Sequence, residues 1–320
     1  MLNIMSMFKR FTSGDTLTKT FIIVALLALL LLYFNKCNRE GFENSNLNLY
    51  TSSNNDDIFD DKYINLYEKI ILDVDKDTFF IDNILENTRQ TDNSVILNIG
   101  CKTGNINKIL KDKNIHSIGL DKSQSMIDYC RNNNPEPIDR TSLINDFNIL
   151  DIDNLDTINI NYDKPITHIL CLNMEIYYIK NIDDFLKQCY NILDNNGYLI
   201  LHLVDHKKFN STSVYSRIND LNPNSLSIKR VNDSVIRFND IIYNTRYRIF
   251  PNDFGKDTVW FTETITDLKD NSVHENVHTY NISINDDISE IASNNNFRLV
   301  KIINITLKHY NNEYIYIFKK

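Results

Sequence analysis

The alternation of short apolar runs with longer amphipathic stretches is the feature of this sequence that most constrains its fold. The apolar runs occupy residues 95–99, 117–120, 142–144, 166–172 and 198–204. Helical patterns between them cover residues 106–111, 124–132 and 182–193. Strands that are apolar throughout and alternate with helices form a parallel sheet that is covered on both faces. The sequence therefore predicts an α/β fold with a doubly wound sheet.

The segments on either side of this core follow different patterns. Residues from Asp60 onward and residues 78–87 have helical spacing, which predicts two helices before the first strand. Residues 206–282 contain runs typical of antiparallel strands, so we predict a β insertion there. One more helix and two strands, at 299–305 and 314–318, are then expected to return to the main sheet.

Two of the seven glycines, Gly100 and Gly104, stand between the first predicted strand and the helix that follows it. Glycine permits a positive φ and lets a ligand approach the backbone closely. The crevice beyond the carboxyl ends of the strands is where doubly wound sheets bind ligands. This spacing lacks the ending of a triphosphate-binding loop, and an ordinary strand-to-helix turn is the alternative.

An acidic residue, Asp121, ends the second predicted strand. A carboxylate at that position can accept two hydrogen bonds from ribose hydroxyls. Its separation from Gly100 suits a nucleoside bound across the first two strands. The alternative role is a helix cap, which Ser123 can provide equally well.

Composition excludes several classes of function. The 320 residues include 34 Lys and Arg against 42 Asp and Glu, a net charge of −8. An acidic chain is unlikely to bind nucleic acid non-specifically, because such binding requires a basic surface. The five cysteines form neither a disulfide framework nor a zinc-binding Cys-x-x-Cys pair, which favours reduced thiols in a domain facing the cytosol.

A second apolar feature lies near the amino terminus, where residues 20–35 carry no charge. With residues 17 and 18 the stretch spans about 27 Å as a helix, close to the hydrocarbon thickness of a bilayer. We predict a transmembrane helix at 17–35, and hence a lipid bilayer as a partner. A cleaved secretory signal would need small residues after the run, and a soluble core helix would show a polar face.

This helix divides the chain into four parts. They are a tail at 1–16, the helix at 17–35, a polar linker at 36–58 and a folded domain at 59–320. Positive charges flank the helix on both sides, so charge alone leaves its orientation open. We expect a single-pass membrane protein whose domain faces the cytosol.

Three motifs in order resemble those of a known family. They are Asn98-Ile99-Gly100-Cys101-Lys102-Thr103-Gly104, then Gly119-Leu120-Asp121-Lys122-Ser123 with Met126, and then Asn145-Asp146-Phe147. Together they resemble class I S-adenosylmethionine-dependent methyltransferases, over about residues 60–205. The resemblance implies a Rossmann-like seven-stranded sheet of order 3-2-1-4-5-7-6 and S-adenosyl-L-methionine as the cofactor.

A narrower resemblance rests on four further parts of the chain. Tyr63, Tyr67 and the stretches at 177–179 and 201–205 resemble membrane-anchored methyltransferase-like proteins of giant, nucleocytoplasmic large DNA viruses. It implies a methyltransferase that is tethered to a membrane.

The family resemblance also implies roles for individual residues. The backbone of Gly100, Cys101 and Gly104 would pass beside the methionine part of the cofactor. Asp121 would hold the ribose, with Lys122 and Met126 near the adenine. Asp146 and Phe147 would contact the adenine, while Asn173 and Met174 would line the pocket below the sulfonium.

Two positions depart from the family pattern. Asn98 stands where the family usually has Asp or Glu, and Lys102 stands where it usually has Gly. Losing the acid at Asn98 removes a charge-assisted partner for the ammonium of the cofactor or its water shell. The sequence therefore leaves two functions open: a methyltransferase acting on a small molecule or protein, or a degenerate binding or interaction module.

The catalytic residues are less defined. An acceptor amine or hydroxyl must give up a proton, and the candidates for the base are Glu175, Tyr177 and His206. The sequence His274-Glu275-Asn276-Val277-His278 matches the zinc-protease pattern, but its flanks are strand-like rather than helical. We therefore expect no metal, although His278 is expected near the substrate.

Overall fold

The computed structural model describes residues 50–134, 145–157, 164–205, 208, 233–250, 256–283, 285–305, 307 and 312–320. The predicted tail and transmembrane helix, and most of the predicted linker, lie outside these ranges. Within the described residues no helix is both long and apolar enough to cross a bilayer. The membrane span at 17–35 therefore stays a prediction.

Within the described residues twelve strands form two sheets. The strands are β1 (Tyr50–Asn54), β2 (Val95–Ile99), β3 (His116–Asp121), β4 (Asn145–Ile149), β5 (Ile166–Cys171), β6 (Tyr198–Val204), β7 (Asp233–Arg237), β8 (Ile241–Phe250), β9 (Lys256–Asp267), β10 (Val273–Ser283), β11 (Arg298–Asn304) and β12 (Glu313–Lys319).

The larger sheet has the order β4-β3-β2-β5-β6-β12-β11. Strands β2 to β6 are parallel, and β12 runs antiparallel to both of its neighbours, β6 and β11. Numbered within this sheet alone, the order is 3-2-1-4-5-7-6, so the predicted topology is confirmed. Gly100 follows β2 at the centre of the parallel part, as expected.

Six α-helices accompany these strands in the described ranges. They are α1 (Asp61–Leu66), α2 (Val74–Asn87), α3 (Asn105–Asp112), α4 (Gln124–Asn133), α5 (Ile182–Ile192) and α6 (Asn285–Asn294). Four of them begin at a side chain that accepts a hydrogen bond from the first turn, which satisfies an otherwise unpaired amide. These capping residues are Asp60, Asp73, Ser123 and Asn181.

The core lies on both faces of the larger sheet. Ile96, Leu170 and Ile200 pack on one face with Phe80 and Ile81 of α2. The alternate residues of the same strands belong to a separate, larger cluster on the opposite face. Burial on both faces explains why these strands are apolar along their whole length rather than at every second position.

The smaller sheet has the order β1-β10-β9-β8-β7. Strands β7 to β10 are antiparallel, as predicted for the insertion, whose residues 209–232 lie outside the described ranges. Strand β1 was not predicted from the sequence. Residues 50–54, predicted to be linker, instead pair with β10 in parallel, because a polar strand can lie at the edge of a sheet.

The third strand of the larger sheet lies at Asn145–Ile149. The residues predicted for it, 142–144, lie outside the described residues. Asn145 and Asp146, which the structure has in the strand, favour turns by themselves. Parallel pairing with β3 and the burial of Phe147 override that local preference.

Candidate functional site

The loop after β2 turns sharply at the carboxyl end of the parallel strands. Gly100 and Gly104 have φ values of 65° and 81°, and Lys102 between them also has a positive φ of 49°. Gly104 is the N-cap of α3. A side chain at Gly100 would place its Cβ within 2.3 Å of the Glu175 carboxyl carbon, so only glycine fits there.

Asp121 lies beside this loop at the end of β3. Its Oδ2 accepts a hydrogen bond from the Lys102 amide and its Oδ1 accepts one from the Ser123 amide, both at 2.9 Å. Burial and the nearby Glu175 raise the pKa of Asp121 to about 6, although the two amides and Lys102 oppose this. The capping role falls to Ser123, whose Oγ accepts from the Met126 amide.

A pocket opens beside Asp121, and we call it the strand-end pocket. Its walls combine backbone of the β2 loop, apolar side chains and several carboxylates. They include Ile99, Gly100, Leu120, Asp121, Lys122, Leu150, Asp151, Ile152, Asp153 and Glu175. The residues after β4, from Leu150 to Asp153, supply both apolar and acidic groups to this pocket.

A second pocket, the aromatic pocket, lies next to the first, since Phe59 and Tyr178 line both. Its walls are mainly rings: Phe59, Tyr63, Tyr67, Tyr178, Tyr247, Phe261, His278 and Tyr280. Its charged lining residues are Asp73, Lys76, Asp77, Lys102, Glu263 and Glu313. Four of these residues, Tyr247, Phe261, His278 and Tyr280, lie on strands of the smaller sheet, so this sheet completes the pocket.

An ion pair stands where the two pockets meet. The Lys102 Nζ lies 2.9 Å from the Glu175 Oε2, and both side chains are largely buried. Lys102 lines the aromatic pocket and Glu175 lines the strand-end pocket. Burial lowers the pKa of Lys102, but Glu175 outweighs this effect and raises it above the usual value.

Asp77 on α2 is a buried acid of the aromatic pocket that sequence reasoning missed. Its Oδ1 accepts from the Asn173 side chain at 3.0 Å and its Oδ2 accepts from Asn105 at 2.7 Å. Burial raises its pKa despite these hydrogen bonds. Asn173 follows β5 and has a positive φ of 50°, which turns its amide toward α2.

A chain of hydrogen bonds runs through the aromatic pocket into the smaller sheet. The Tyr178 hydroxyl lies 2.5 Å from His278 Nδ1, and His278 Nε2 lies 2.7 Å from the Glu263 Oε2. Tyr243 donates to the other oxygen of Glu263. Burial raises the pKa of Glu263, but His278 and the hydrogen bonds from Tyr243 and Tyr63 lower it below its usual value.

The register of the antiparallel strands explains this arrangement. Glu263 on β9 is directly opposite Asn276 on β10, and His278 is two residues further along. Such diagonal neighbours share one face of the sheet and lie within reach of each other. Glu263 was not predicted as a site residue, because the alternation of residues along β9 does not show which residues of β10 lie beside it.

Six of the predicted site residues line the two pockets. Gly100, Asp121, Lys122 and Glu175 line the strand-end pocket, while Asn173 and Met174 line the aromatic pocket. The Met174 amide also donates to His202 Nδ1. These positions agree with the side of the sheet that the motifs predicted.

Other predicted cofactor contacts lie away from both pockets. The side chain of Asn98 is buried and donates to Asn107 Oδ1 at 2.7 Å, so it supports α3 instead of facing a ligand. Met126 is a fully buried core residue of α4. Cys101 packs with Cys130 and Phe147 beneath the loop. These side chains pack in the core around the loop and α3, and their contacts with the cofactor stay predictions.

Asp146 and Phe147, which were predicted to contact the adenine, do not line either pocket. Both residues lie inside β4, and Asp146 is paired in register with Ile118 rather than placed at the strand's end. Phe147 is buried against Gly119 and Gly104. Asp151, two residues after the end of β4, lines the strand-end pocket, which Asp146 does not.

Tyr177, one of the three candidate bases, does not line either pocket. Tyr177 is completely buried, and its hydroxyl accepts a hydrogen bond from the Val204 amide at 2.8 Å. Burial raises its pKa further above the usual value. His206 lies outside the described residues. Glu175 remains at the pocket, paired with Lys102.

The two histidines of the zinc-protease pattern lie on β10, as the strand-like flanks indicated. His274 contacts the Thr51 hydroxyl at the β1 edge, whereas His278 faces the aromatic pocket. Among the described residues, no three acidic, histidine or cysteine side chains are grouped as metal ligands.

Comparisons with known proteins agree with this geometry. Residues 97–199 match the protein family described as Methyltransferase domain. A crystal structure of an S-adenosylmethionine-dependent methyltransferase from Clostridium acetobutylicum has 18% identity and a TM-score of 0.58, covering 81% of this chain and 97% of that one. The domain has a methyltransferase fold.

Two further methyltransferase structures show the same likeness. One is an S-adenosylmethionine-bound amino pentose methyltransferase from Micromonospora echinaspora, with 11% identity, a TM-score of 0.55 and coverage of 81% and 96%. The other is the CcbJ methyltransferase from Streptomyces caelestis, with 9% identity, a TM-score of 0.58 and coverage of 81% and 96%. No curated protein sequence matches this chain. The resemblance to giant-virus proteins therefore stays a prediction.

Proposed function

We propose that this protein is an S-adenosylmethionine-dependent methyltransferase. The observation that carries the proposal is the pair of adjoining pockets at the carboxyl ends of β2, β3 and β5. One is bounded by Asp121 and the glycine loop, and the other is aromatic. The methyl donor would occupy the first and the acceptor would occupy the second, with the reacting atoms where the two meet.

The residues of the strand-end pocket fit an adenosine group. Asp121 would accept hydrogen bonds from ribose hydroxyls with the remaining lone pairs of its oxygens. The apolar side chains of Leu120, Leu150 and Ile152 would enclose the adenine, and Asp151 would accept from its amino group. The positive φ at Gly100 and the nearby Glu175 side chain require a glycine at this position. Because glycine has no side chain, the backbone itself can border the ligand there.

The bound cofactor would supply an electrophilic methyl group attached to a sulfonium. The protein contributes mainly position, because in-line attack on that methyl is accelerated by holding the acceptor in the correct orientation. The rings of Tyr63, Tyr67 and Tyr178 enclose the acceptor side. An enclosed aromatic pocket suits a small molecule or an extended side chain of a protein.

A second function, a non-enzymatic binding module, is favoured by the Lys102–Glu175 ion pair. This pair occupies the junction of the pockets, and it places a positive charge near the site proposed for the sulfonium. For the enzyme to work, the pair must give way or reorient when the cofactor binds. A protein in which the Lys102–Glu175 ion pair stays intact would retain the fold but would not transfer a methyl group.

Calorimetric titration of the full chain in detergent with S-adenosylhomocysteine tests the proposal. We expect micromolar binding that Asp121→Ala weakens by about 2–4 kcal/mol, since it removes charge-assisted hydrogen bonds. Asp128→Ala, on the exposed face of α4, is the matched control and should bind like the wild type. No binding at millimolar ligand by a folded protein would leave only the binding module.

A comparison of two aspartates tests the revised adenine contact. Asp151→Ala should weaken S-adenosylhomocysteine binding, because Asp151 lines the strand-end pocket. Asp146→Ala should leave the affinity unchanged, because this side chain bonds locally within β4. The reverse order of effects would restore the contact that the sequence motif predicted.

We further propose that residues 17–35 tether this enzyme to a membrane as a single span, with the domain in the cytosol. The support is the uncharged stretch at 20–35 and the shortage of possible disulfides. The full chain should remain in the membrane pellet after carbonate extraction, and a chain that lacks residues 1–40 should not. Protease protection of the domain in sealed vesicles would show the orientation.

A further inference from the structure

The Tyr178–His278–Glu263 chain is the group of buried titratable side chains whose role the proposed function leaves open. Glu263 and His278 are 0% and 2% exposed, and both border the aromatic pocket. Burying a carboxylate is costly unless it is paired and hydrogen-bonded. The smaller sheet therefore carries a buried polar network, whose burial costs free energy, at the position proposed for the acceptor.

The charge of the aromatic pocket points to a cationic ligand. Within the described part of the chain its lining contains four carboxylates, two lysines and no arginine. One of these lysines, Lys102, is already paired with Glu175. The lowered pKa of Glu263 keeps this acid ionised at neutral pH. Aromatic faces next to a buried carboxylate are the environment that ammonium groups prefer.

The hydrogen bonds also fix the tautomer of His278. Because the ionised Glu263 can only accept, the ring must present its Nε2–H to that carboxylate. In the neutral ring the lone pair of Nδ1 then faces the Tyr178 hydroxyl, whose proton is shared between Nδ1 at 2.5 Å and the Tyr280 hydroxyl at 3.4 Å. In this tautomer His278 Nδ1 can take a proton through Tyr178, and both side chains line the aromatic pocket.

We propose that the acceptor is an amine that enters the aromatic pocket as an ammonium ion, and that Tyr178 and His278 remove its proton. The N–H bond of the ammonium breaks and its proton moves to the Tyr178 oxygen. The Tyr178 proton moves to His278 Nδ1, so that an imidazolium forms beside the Glu263 carboxylate. The freed nitrogen lone pair can then form its bond to the methyl carbon as the sulfur–carbon bond breaks.

In this scheme Tyr178 touches the acceptor and is a catalytic residue, while Glu263 is a positioning residue that acts through His278. Other titratable groups also face His278. Tyr63 of α1 and Tyr280 of β10 have ring centroids 6.2 Å and 6.0 Å from its ring. Tyr243 of β8 reaches it through Glu263. Burial raises the pKa of Tyr178 and of Tyr280, so both hydroxyls keep their protons at neutral pH.

The proposal rests on the proposed function, and the first experiment separates the two. The full chain in detergent is saturated with S-adenosylhomocysteine and titrated at pH 7 with benzylammonium or with benzyl alcohol. Binding of S-adenosylhomocysteine tests the methyltransferase, whereas the preference between the two probes tests the amine site. We expect benzylammonium to bind at least tenfold more tightly than the alcohol, and Glu263→Gln to remove the preference.

Equal binding of the two probes by the wild type, or binding of neither, would overturn the amine site even if Glu263→Gln failed to fold. The tautomer has an independent test by nitrogen NMR of histidine-labelled protein. The His278 signals, assigned with His278→Asn, should show a protonated Nε2 and a free Nδ1. A protonated Nδ1 in the neutral ring would refute the relay.

The second experiment tests catalysis with benzylamine as the acceptor. Tyr178→Phe should lower kcat about 10²–10⁴-fold at pH 7. The loss should diminish as the pH rises and the amine loses its proton unaided. Tyr190→Phe, which lines neither pocket and packs on Phe297, is the matched control and should keep the wild-type profile. A loss that is equal at every pH, or no turnover by wild-type protein that binds S-adenosylhomocysteine, would reject the proposal.

Discussion

Asp121 should titrate in a pH range where ligand binding is readily measured. Burial and the neighbouring Glu175 raise its pKa to about 6. At that pKa, about nine-tenths of the molecules carry an ionised Asp121 at pH 7 and about one-tenth do so at pH 5. Ribose hydroxyls bind the ionised form better because it only accepts hydrogen bonds. We therefore expect the affinity for S-adenosylhomocysteine to fall about tenfold from pH 7 to pH 5, or ~1.4 kcal/mol.

Calorimetric titrations at pH 5, 6 and 7 would measure this change. Asp121→Asn cannot ionise, so its affinity should be low and should vary little over the same range. Asp128→Asn, a surface control on α4, should follow the wild type. Equal wild-type affinity at pH 5 and pH 7, or the same decrease in Asp121→Asn, would refute the assigned role.

The same group makes the stability of the free domain depend on pH in a definite direction. The pKa of Asp121 is higher in the folded protein than its ordinary value of 3.8, so the folded state binds the proton more tightly. The free energy of unfolding therefore increases as the pH falls from about 6 towards 3.8. At neutral pH the ionised Asp121 carboxylate destabilises the folded state to its full extent. Relative to Asp121→Asn, the wild type should gain about 2 kcal/mol between pH 7 and pH 4 in urea denaturation. Parallel curves for the two proteins would contradict this.

Three substitutions probe the surroundings of the loop. Gly119→Ala would bring a Cβ within 2.6 Å of the Phe147 ring, and we expect urea denaturation to show a loss of about 1–3 kcal/mol. Tyr177→Phe leaves the Val204 amide without its acceptor, so it should cost about 1–3 kcal/mol while S-adenosylhomocysteine binding is unchanged. Lys102→Met removes a cation that lowers the pKa of the ribose-binding acid, so the pH midpoint of S-adenosylhomocysteine binding should move upwards. An unchanged midpoint would contradict that coupling.

The topology of the larger sheet could be predicted because burial on both faces leaves a signal in each strand. Residues 95–99 were predicted with the bounds that the structure has, since all five are buried. The strand at Asn145–Ile149 was not predicted with these residues, because Asn145 and Asp146 have turn preferences that the pairing with β3 overrides. Residues 50–54 gave no strand signal, because an edge strand that is polar on both faces shows no apolar alternation.

The candidate site was predictable to the extent that it follows from strand ends. Gly100 and Asp121 could be placed because the first follows a parallel strand and the second ends one. The carboxyl ends of parallel strands lie at the same edge of the sheet, where ligands bind. Asn98 could not, since the choice between facing a ligand and supporting α3 depends on Asn107, a partner on that helix. Glu263 and His278 required the register between β9 and β10, which neither strand's sequence specifies alone.

Strand β1 affects where this domain can safely be shortened. It covers one side of β10 along Tyr50–Asn54, and the Asn55 side chain that follows accepts a hydrogen bond from the Thr279 amide. A protein beginning at residue 59 would leave that side of β10 with open backbone groups, which recruit strands from other molecules. We then expect such a protein to self-associate and the wall that β10 gives to the aromatic pocket to be less stable. Both effects would occur although every residue that lines the two pockets, except Asn55, was still present.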